Sequence, residues 1–178
     1  MFGRKVLLGG MTATALVAAS TALAVDPPKL GQPAPERLIR LFDISIPPDG
    51  TGLPPGQATA KQGEAVFIAR CAACHGEKGE GATNDRLASG VGTLQDEIQT
   101  FKTVGSYWPY ATTLFDYVRR AMPYNAPLSL TDEEVYAATA YVLFLNRIIG
   151  ETDVINAQSL PAVKMPNRDA FINAYAPR

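Results

Sequence analysis

Histidine is nearly absent from this chain. Among 178 residues there is one, His75, and there are only two cysteines, Cys71 and Cys74. That scarcity excludes a structural zinc centre, which needs four cysteine or histidine ligands, and it excludes a framework of several disulfides. Positive charge is also short. Sixteen lysines and arginines face 17 acidic residues, for a net charge of −1. No basic run or helix-turn-helix pattern is present, which argues against nucleic acid as a partner. A phosphate-cradling loop is excluded as well, because no GK[ST] sequence follows a strand. No internal repeat is visible, and tryptophan occurs once, at Trp108.

What is present begins with an export signal. Arg4 and Lys5 form a short basic start, Val6 to Ala22 is apolar apart from glycine, threonine and serine, and Ala22-Leu23-Ala24 has the small-x-small form of a signal-peptidase site. Asp26-Pro27-Pro28 would break any continuing helix. Residues 1–24 are therefore read as a signal peptide, directing the chain to the periplasm. The rival is an uncleaved membrane anchor, since the apolar run is nearly long enough to span. Removing 24 of 178 residues leaves 154, and removing Arg4 and Lys5 leaves 14 basic against 17 acidic side chains, a net charge near −3. That length suits one compact domain with an extended arm.

The chemistry is concentrated in Cys71-Ala72-Ala73-Cys74-His75. A C-x-x-C-H run reads as a covalent attachment site for a c-type haem. Two thiols about a helical turn apart can each add to one vinyl group, and the next histidine reaches the iron as proximal ligand. A dithiol redox site would want a preceding strand, whereas the residues ahead look helical. An even cysteine count could also mean one disulfide, but the adjacent histidine assigns both thiols to haem. Attachment outside the cytoplasm agrees with the export signal, and a single motif means one haem.

Along the chain, residues 25–56 form a Pro- and Gly-rich arm that can neither continue a helix nor enter a central strand. Within it Ile39, Leu41 and Ile44 are candidates to face inward. The arm either wraps its own domain or lies on a partner. From Gln57 to Ala73 the pattern is helical, with Ala60, Gly63 and Phe67 on one face. Gly63 in a helix interior costs about 1 kcal/mol relative to alanine, which close approach of another helix would offset. Gly76, Gly79, Gly81, Gly90 and Gly92 make a loop able to fold against a flat cofactor. Residues 93–104 read as a short helix or turn. Tyr107-Trp108-Pro109-Tyr110 offers N–H and O–H donors for haem propionates, or else an aromatic cluster in the core. Thr112 or Thr113 is expected to cap a helix from Leu114 to Ala121 that ends before Met122-Pro123. Thr131 and Glu134 form a capping box opening a helix from Asp132 to about Asn146, with Gly150 as its C-cap. The domain so defined is 57–150, and 151–178 is an irregular tail.

The sixth iron ligand is approached by elimination. His75 is the only histidine, so a second one cannot serve, and Met1 and Met11 lie in the export segment. A methionine ligand raises the reduction potential. Met122 lies between two predicted helices and is the first candidate. Met165, in the tail, is the second, and an open sixth position is the third. For Met122 the plainer role is filling core space.

This order of helix, CxxCH, glycine-rich loop, methionine loop and terminal helix resembles a class I cytochrome c. Leu53-Pro54-Pro55-Gly56, Thr83-Asn84-Asp85-Arg86-Leu87, Tyr107-Trp108-Pro109-Tyr110-Ala111-Thr112, Ala121-Met122-Pro123, Asn125-Ala126-Pro127 and Lys164-Met165-Pro166-Asn167-Arg168 are similar to the cytochrome subunits of bacterial sulfite dehydrogenase and sulfur dehydrogenase. The resemblance spans about residues 42–172. It implies an all-α class I cytochrome c fold around one haem c, with His75 and Met122 as the axial pair. It also implies an electron-transfer subunit, not an enzyme, docked to a molybdenum-cofactor catalytic subunit and passing electrons to a downstream cytochrome or terminal oxidase. Sulfur-dehydrogenase cytochromes often carry two haems, so a single motif favours the sulfite type or a shortened relative. A free-standing periplasmic shuttle would show the same site, and a haem peroxidase or gas sensor would need the open sixth position.

Overall fold

Two capping boxes set the principal helices. The computed structural model describes residues 30–95, 101–172 and 174–175; the signal segment 1–24 lies outside them. Helix α1 is Glu36–Phe42 and strand β1 is Gln57–Ala58. Helix α2 is Ala60–Arg70, α3 is Ala72–His75, α4 is Val104–Tyr107, α5 is Ala111–Ala121 and α6 is Asp132–Leu145. Strand β2, Ile155–Asn156, pairs antiparallel with β1 in the register Gln57↔Asn156, Ala58↔Ile155. Two single 3₁₀ turns, Thr93–Gln95 and Leu160–Ala162, complete the described elements.

Helix α2 begins three residues later than the sequence pattern suggests. The Thr59 hydroxyl accepts from the Gln62 N–H, and the Gln62 side chain accepts from the Thr59 N–H at 2.8 Å. This box takes up donors that a helix start leaves open, and it frees Gln57 and Ala58 to pair with β2. The same arrangement joins Thr131 and Glu134 at the start of α6, as expected. Helix α6 is buried without interruption from Val135 to Leu143, so it is the central element rather than a surface one.

Helices α2 and α6 pack directly on each other at Gly63. A Cβ there would overlap the Ala137 carbonyl, 2.7 Å from its carbon and 2.9 Å from Tyr141 Cβ. The glycine permits the close approach that its helix propensity would otherwise argue against. Phe67 then stacks on Tyr141 with ring centroids 5.1 Å apart, and Phe115 of α5 meets Tyr136 at 4.5 Å. These residues, with Leu114, Val118, Leu143, Ile155 and Leu160, form the hydrophobic core.

Three expectations need correction. Helix α5 starts at Ala111 with Tyr110 as N-cap and no side-chain cap, because the Thr112 hydroxyl is used elsewhere, donating to Pro48 O at 3.3 Å. Asn146, not Gly150, caps α6, and Arg147 takes the left-handed turn at φ 59°. In the arm, Ile39 and Leu41 are exposed and α1 buries none of its residues; the anchor is Ile46. Residues 44–56 wrap the domain: Ile46 N–H donates to Asp116 Oδ1 at 2.9 Å and Tyr136 O–H to Pro54 O at 2.9 Å. Glu36–Arg178 form one compact unit; of the other, Met1–Pro35, residues 30–35 are exposed and irregular. The centre of the predicted 93–104 segment lies outside the described residues. Among those described, no helix is long and apolar enough to cross a membrane.

Candidate haem site

The end of α2 feeds straight into the attachment motif. Cys71 caps α2, its N–H donating to Phe67 O at 2.8 Å, and its own carbonyl accepts from Cys74 N at 3.1 Å and His75 N at 3.0 Å. The turn of α3 therefore places both thiols and the imidazole on one short, hydrogen-bonded unit. Gly76, at φ 80°, stops it, with its N–H on Ala72 O. Both thiols are free. Cys71 is half-buried against the core, whereas Cys74 is exposed. Burial, and after it the neighbouring Cys74 thiol group, push the Cys71 thiol up to about 11.

The glycine-rich loop closes back on this unit. Asn84 N–H donates to Cys74 O at 2.9 Å and Gly81 N–H to His75 O at 2.7 Å. His75 Nδ1 stands 2.7 Å from Asp85 O. A carbonyl only accepts, so Nδ1 carries the proton and donates. Nε2 is left with its lone pair, the tautomer that a metal-ligating histidine requires. Arg86 lies 4.1 Å from the centre of the Phe101 ring, which fixes the far side of the loop.

The two methionines differ in what already surrounds them. Met122 is the C-cap of α5, in extended backbone with its N–H on Val118 O at 3.1 Å, and its side chain is half-buried at the edge of the core. Met165 is only 3% exposed and belongs to the core cluster. The next residue but one, Asn167, donates to Tyr107 O at 2.6 Å. Met165 is thus enclosed by protein, while Met122 keeps free surface at the end of a helix.

The expected aromatic donors divide similarly. Trp108 packs against the core and meets Tyr117 edge-on at 5.6 Å. Tyr107 meets Phe171 at 5.3 Å, and Arg168 covers Tyr110 at 4.4 Å. The chain thus offers two free thiols on one turn, an imidazole with its second nitrogen already committed, and a partly open thioether. This donor set fits a covalently held haem with nitrogen and sulfur axial ligands. Sequence reasoning missed the Asp85 carbonyl, because a backbone acceptor leaves no trace in residue type. Asn84-Asp85 between glycines was the one available hint.

Comparison with known proteins points to the same cofactor. The family model described as Cytochrome c matches residues 60–146. That span holds Cys71 to His75 and Met122 but stops short of Met165. Among solved structures, the chain is similar to one from the crystal structure of the sulfane dehydrogenase SoxCD from Paracoccus pantotrophus. Identity is 37%, the TM-score is 0.78, and the match covers 84% of this chain and 73% of that one. No curated protein matches the chain.

Proposed function

The chain belongs to the cytochrome c family as a class I member, and from that premise we propose that it is the periplasmic, single-haem electron carrier of a molybdenum-dependent dehydrogenase acting on sulfite or a related sulfur compound. It is an electron-transfer protein rather than an enzyme, and its cofactor is covalent haem c. The haem supplies a one-electron ferrous–ferric couple. Everything else is the work of the chain. Cys71 and Cys74 tether the group from one helical turn. His75 presents Nε2 to the iron, held by the Asp85 carbonyl on Nδ1. Met122, at the end of α5, would supply a thioether ligand, which would raise the potential. With His75 and Met122 both available to hold the iron, the group would act by passing electrons singly from a donor to a downstream cytochrome or terminal oxidase.

The observation that carries the sulfur-compound reading is the similarity to a chain of a sulfane dehydrogenase at 37% identity over most of both chains. Export through residues 1–24 is part of the same reading, since thioether formation in a bacterium takes place outside the cytoplasm. Purification from periplasm under mild conditions, followed by metal analysis, tests the reading. A co-purifying protein that contains molybdenum is expected. Anaerobic addition of sulfite or of a sulfane-sulfur compound to that complex is expected to reduce the haem. Isolation of the cytochrome alone, unreduced by any of these compounds, would identify a free-standing shuttle instead.

A further inference from the structure

We propose that Asn146 is a positioning residue for His75, acting through the loop whose carbonyl holds the imidazole. The inference rests on the reading of His75 as iron ligand and extends it to the far end of α6. Asn146 is 7% exposed. Its Nδ2 donates twice, to Val142 O at 2.8 Å and to Leu87 O at 3.0 Å. The first bond joins the Asn146 backbone N–H on the same carbonyl, in the last turn of its own helix. The second crosses to the glycine-rich loop.

The amide orientation is fixed by its neighbours. Turning it over would aim Oδ1 at two carbonyl oxygens. In the orientation present, Oδ1 makes no hydrogen bond and rests against Gly105 of α4, where a Cβ would lie 2.7 Å from Asn146 Cγ. A buried acceptor without a partner is a cost, so what the side chain contributes is its pair of donors. An apolar residue would fill the same space without that cost, and would leave Leu87 O unheld by α6.

Leu87 links the end of α6 to the loop. Its N–H donates to Gly79 O at 2.8 Å, and its carbonyl accepts from Val104 N–H at 3.2 Å as well as from Asn146. Two residues earlier, the Asp85 carbonyl accepts from His75 Nδ1–H at 2.7 Å. The loop is exposed at Asn84 and Asp85. The Asp85 carbonyl is therefore held from one side by Asn84 N–H on Cys74 O and from the other by the Leu87 anchor. Without Asn146 the Leu87 carbonyl keeps only the longer bond from Val104, and the residue is otherwise held by its N–H on Gly79 O. A loosened Asp85 carbonyl weakens the hydrogen bond at Nδ1, makes the ring a poorer donor, and raises the reduction potential.

The test uses the full chain with haem attached, in a host that matures c-type cytochromes. Asn146→Leu keeps the volume and removes both donors; Asn146→Ala is the second variant. Thr139→Val serves as control, because Thr139 Oγ1 is fully buried on the same helix and has no partner. His75 is the sole histidine, so ¹⁵N-histidine labelling reports this one ring. In the reduced protein, exchange of the His75 Nδ1 proton is expected to quicken about tenfold in both Asn146 variants, with a higher midpoint potential and unchanged haem content. Wild-type exchange and potential in a folded, haem-loaded Asn146→Leu or Asn146→Ala protein would reduce Asn146 to a helix cap and overturn the proposal. His75→Ala separates the premise: if that variant keeps the native absorption spectrum, the ligand assignment fails, and not the role of Asn146.

Discussion

At the scale of single residues, two methionines followed by proline look alike in sequence and are told apart by what encloses them. Met165 is packed on all sides, so truncating it removes core contacts. Met165→Ala is expected to cost about 2–5 kcal/mol in chemical denaturation while leaving the haem absorption spectrum in place. Met122→Ala is expected to do the reverse, altering the spectrum and lowering the potential through loss of the thioether, with the remaining core intact. If Met165→Ala changed the spectrum and Met122→Ala did not, the axial pair would be misassigned. The cysteines separate in the same manner before haem is attached. Cys71, pushed up to about 11 by burial, stays a neutral thiol at pH 8 and is partly covered, whereas Cys74 is exposed. Since thiolates are the reactive species, iodoacetamide is expected to label Cys74 first in the apoprotein, as peptide mapping would show. The raised value has a sign for stability too. The neutral form is the one the fold favours, so this contribution is complete below the ordinary thiol value and disappears as pH rises towards 11.

At the scale of elements, the crossing of α2 and α6 depends on one missing side chain. Gly63→Ala gains helix propensity of about 1 kcal/mol but drives a methyl into the Ala137 carbonyl and Tyr141, and overpacking of this kind costs about 1–3 kcal/mol. The net result expected is a loss of stability in thermal unfolding; a gain would mean that the helices are farther apart than described. The sequence made this contact legible, because a glycine amid helical spacing asks for a close neighbour. It also made legible the Thr131–Glu134 box and the attachment motif, both carried by residue type at fixed spacing. The Thr59–Gln62 box was equally readable but was hidden by helical-looking residues ahead of it, whose fate is decided by pairing with β2, about a hundred residues away. The sequence pattern ends this helix at about Asn146 and offers Gly150 as its C-cap. The actual role of Asn146, a cap that reaches across to Leu87, depends on loop closure over 59 residues, which local pattern does not encode. The apolar residues of α1 invited an inward reading for the same reason: hydrophobicity shows what could be buried, not what has a surface to meet.

At the scale of the whole molecule, the arm is tied down from Ile44 onward, by hydrogen bonds with side chains of α5 and α6. Asp116 is the chief of these. It is 8% exposed, accepts the Ile46 N–H at 2.9 Å, and is paired with Arg120, whose Nε lies 3.0 Å away. Arg119 adds an ion pair to Asp132 at 3.2 Å and a contact with Ile44 O at 3.5 Å. Because Arg120 is about half exposed, solvent screens the ionic part of the Asp116 pair; the backbone donor of Ile46 is the group that loses most when Asp116 is removed. Asp116→Ala is accordingly expected to cost about 1–3 kcal/mol, the range for leaving a buried donor unpaired. The loss should be local before it is global. Ile46 anchors the arm through a buried side chain and this one amide, so its amide exchange is expected to quicken far more than that of Val142 in α6. The haem spectrum should persist, since Cys71 to His75 are held by the hydrogen bonds of their own loop. Uniformly raised exchange in arm and central helix alike would show instead that Asp116 supports the core as a whole, and that the arm is no separable strap.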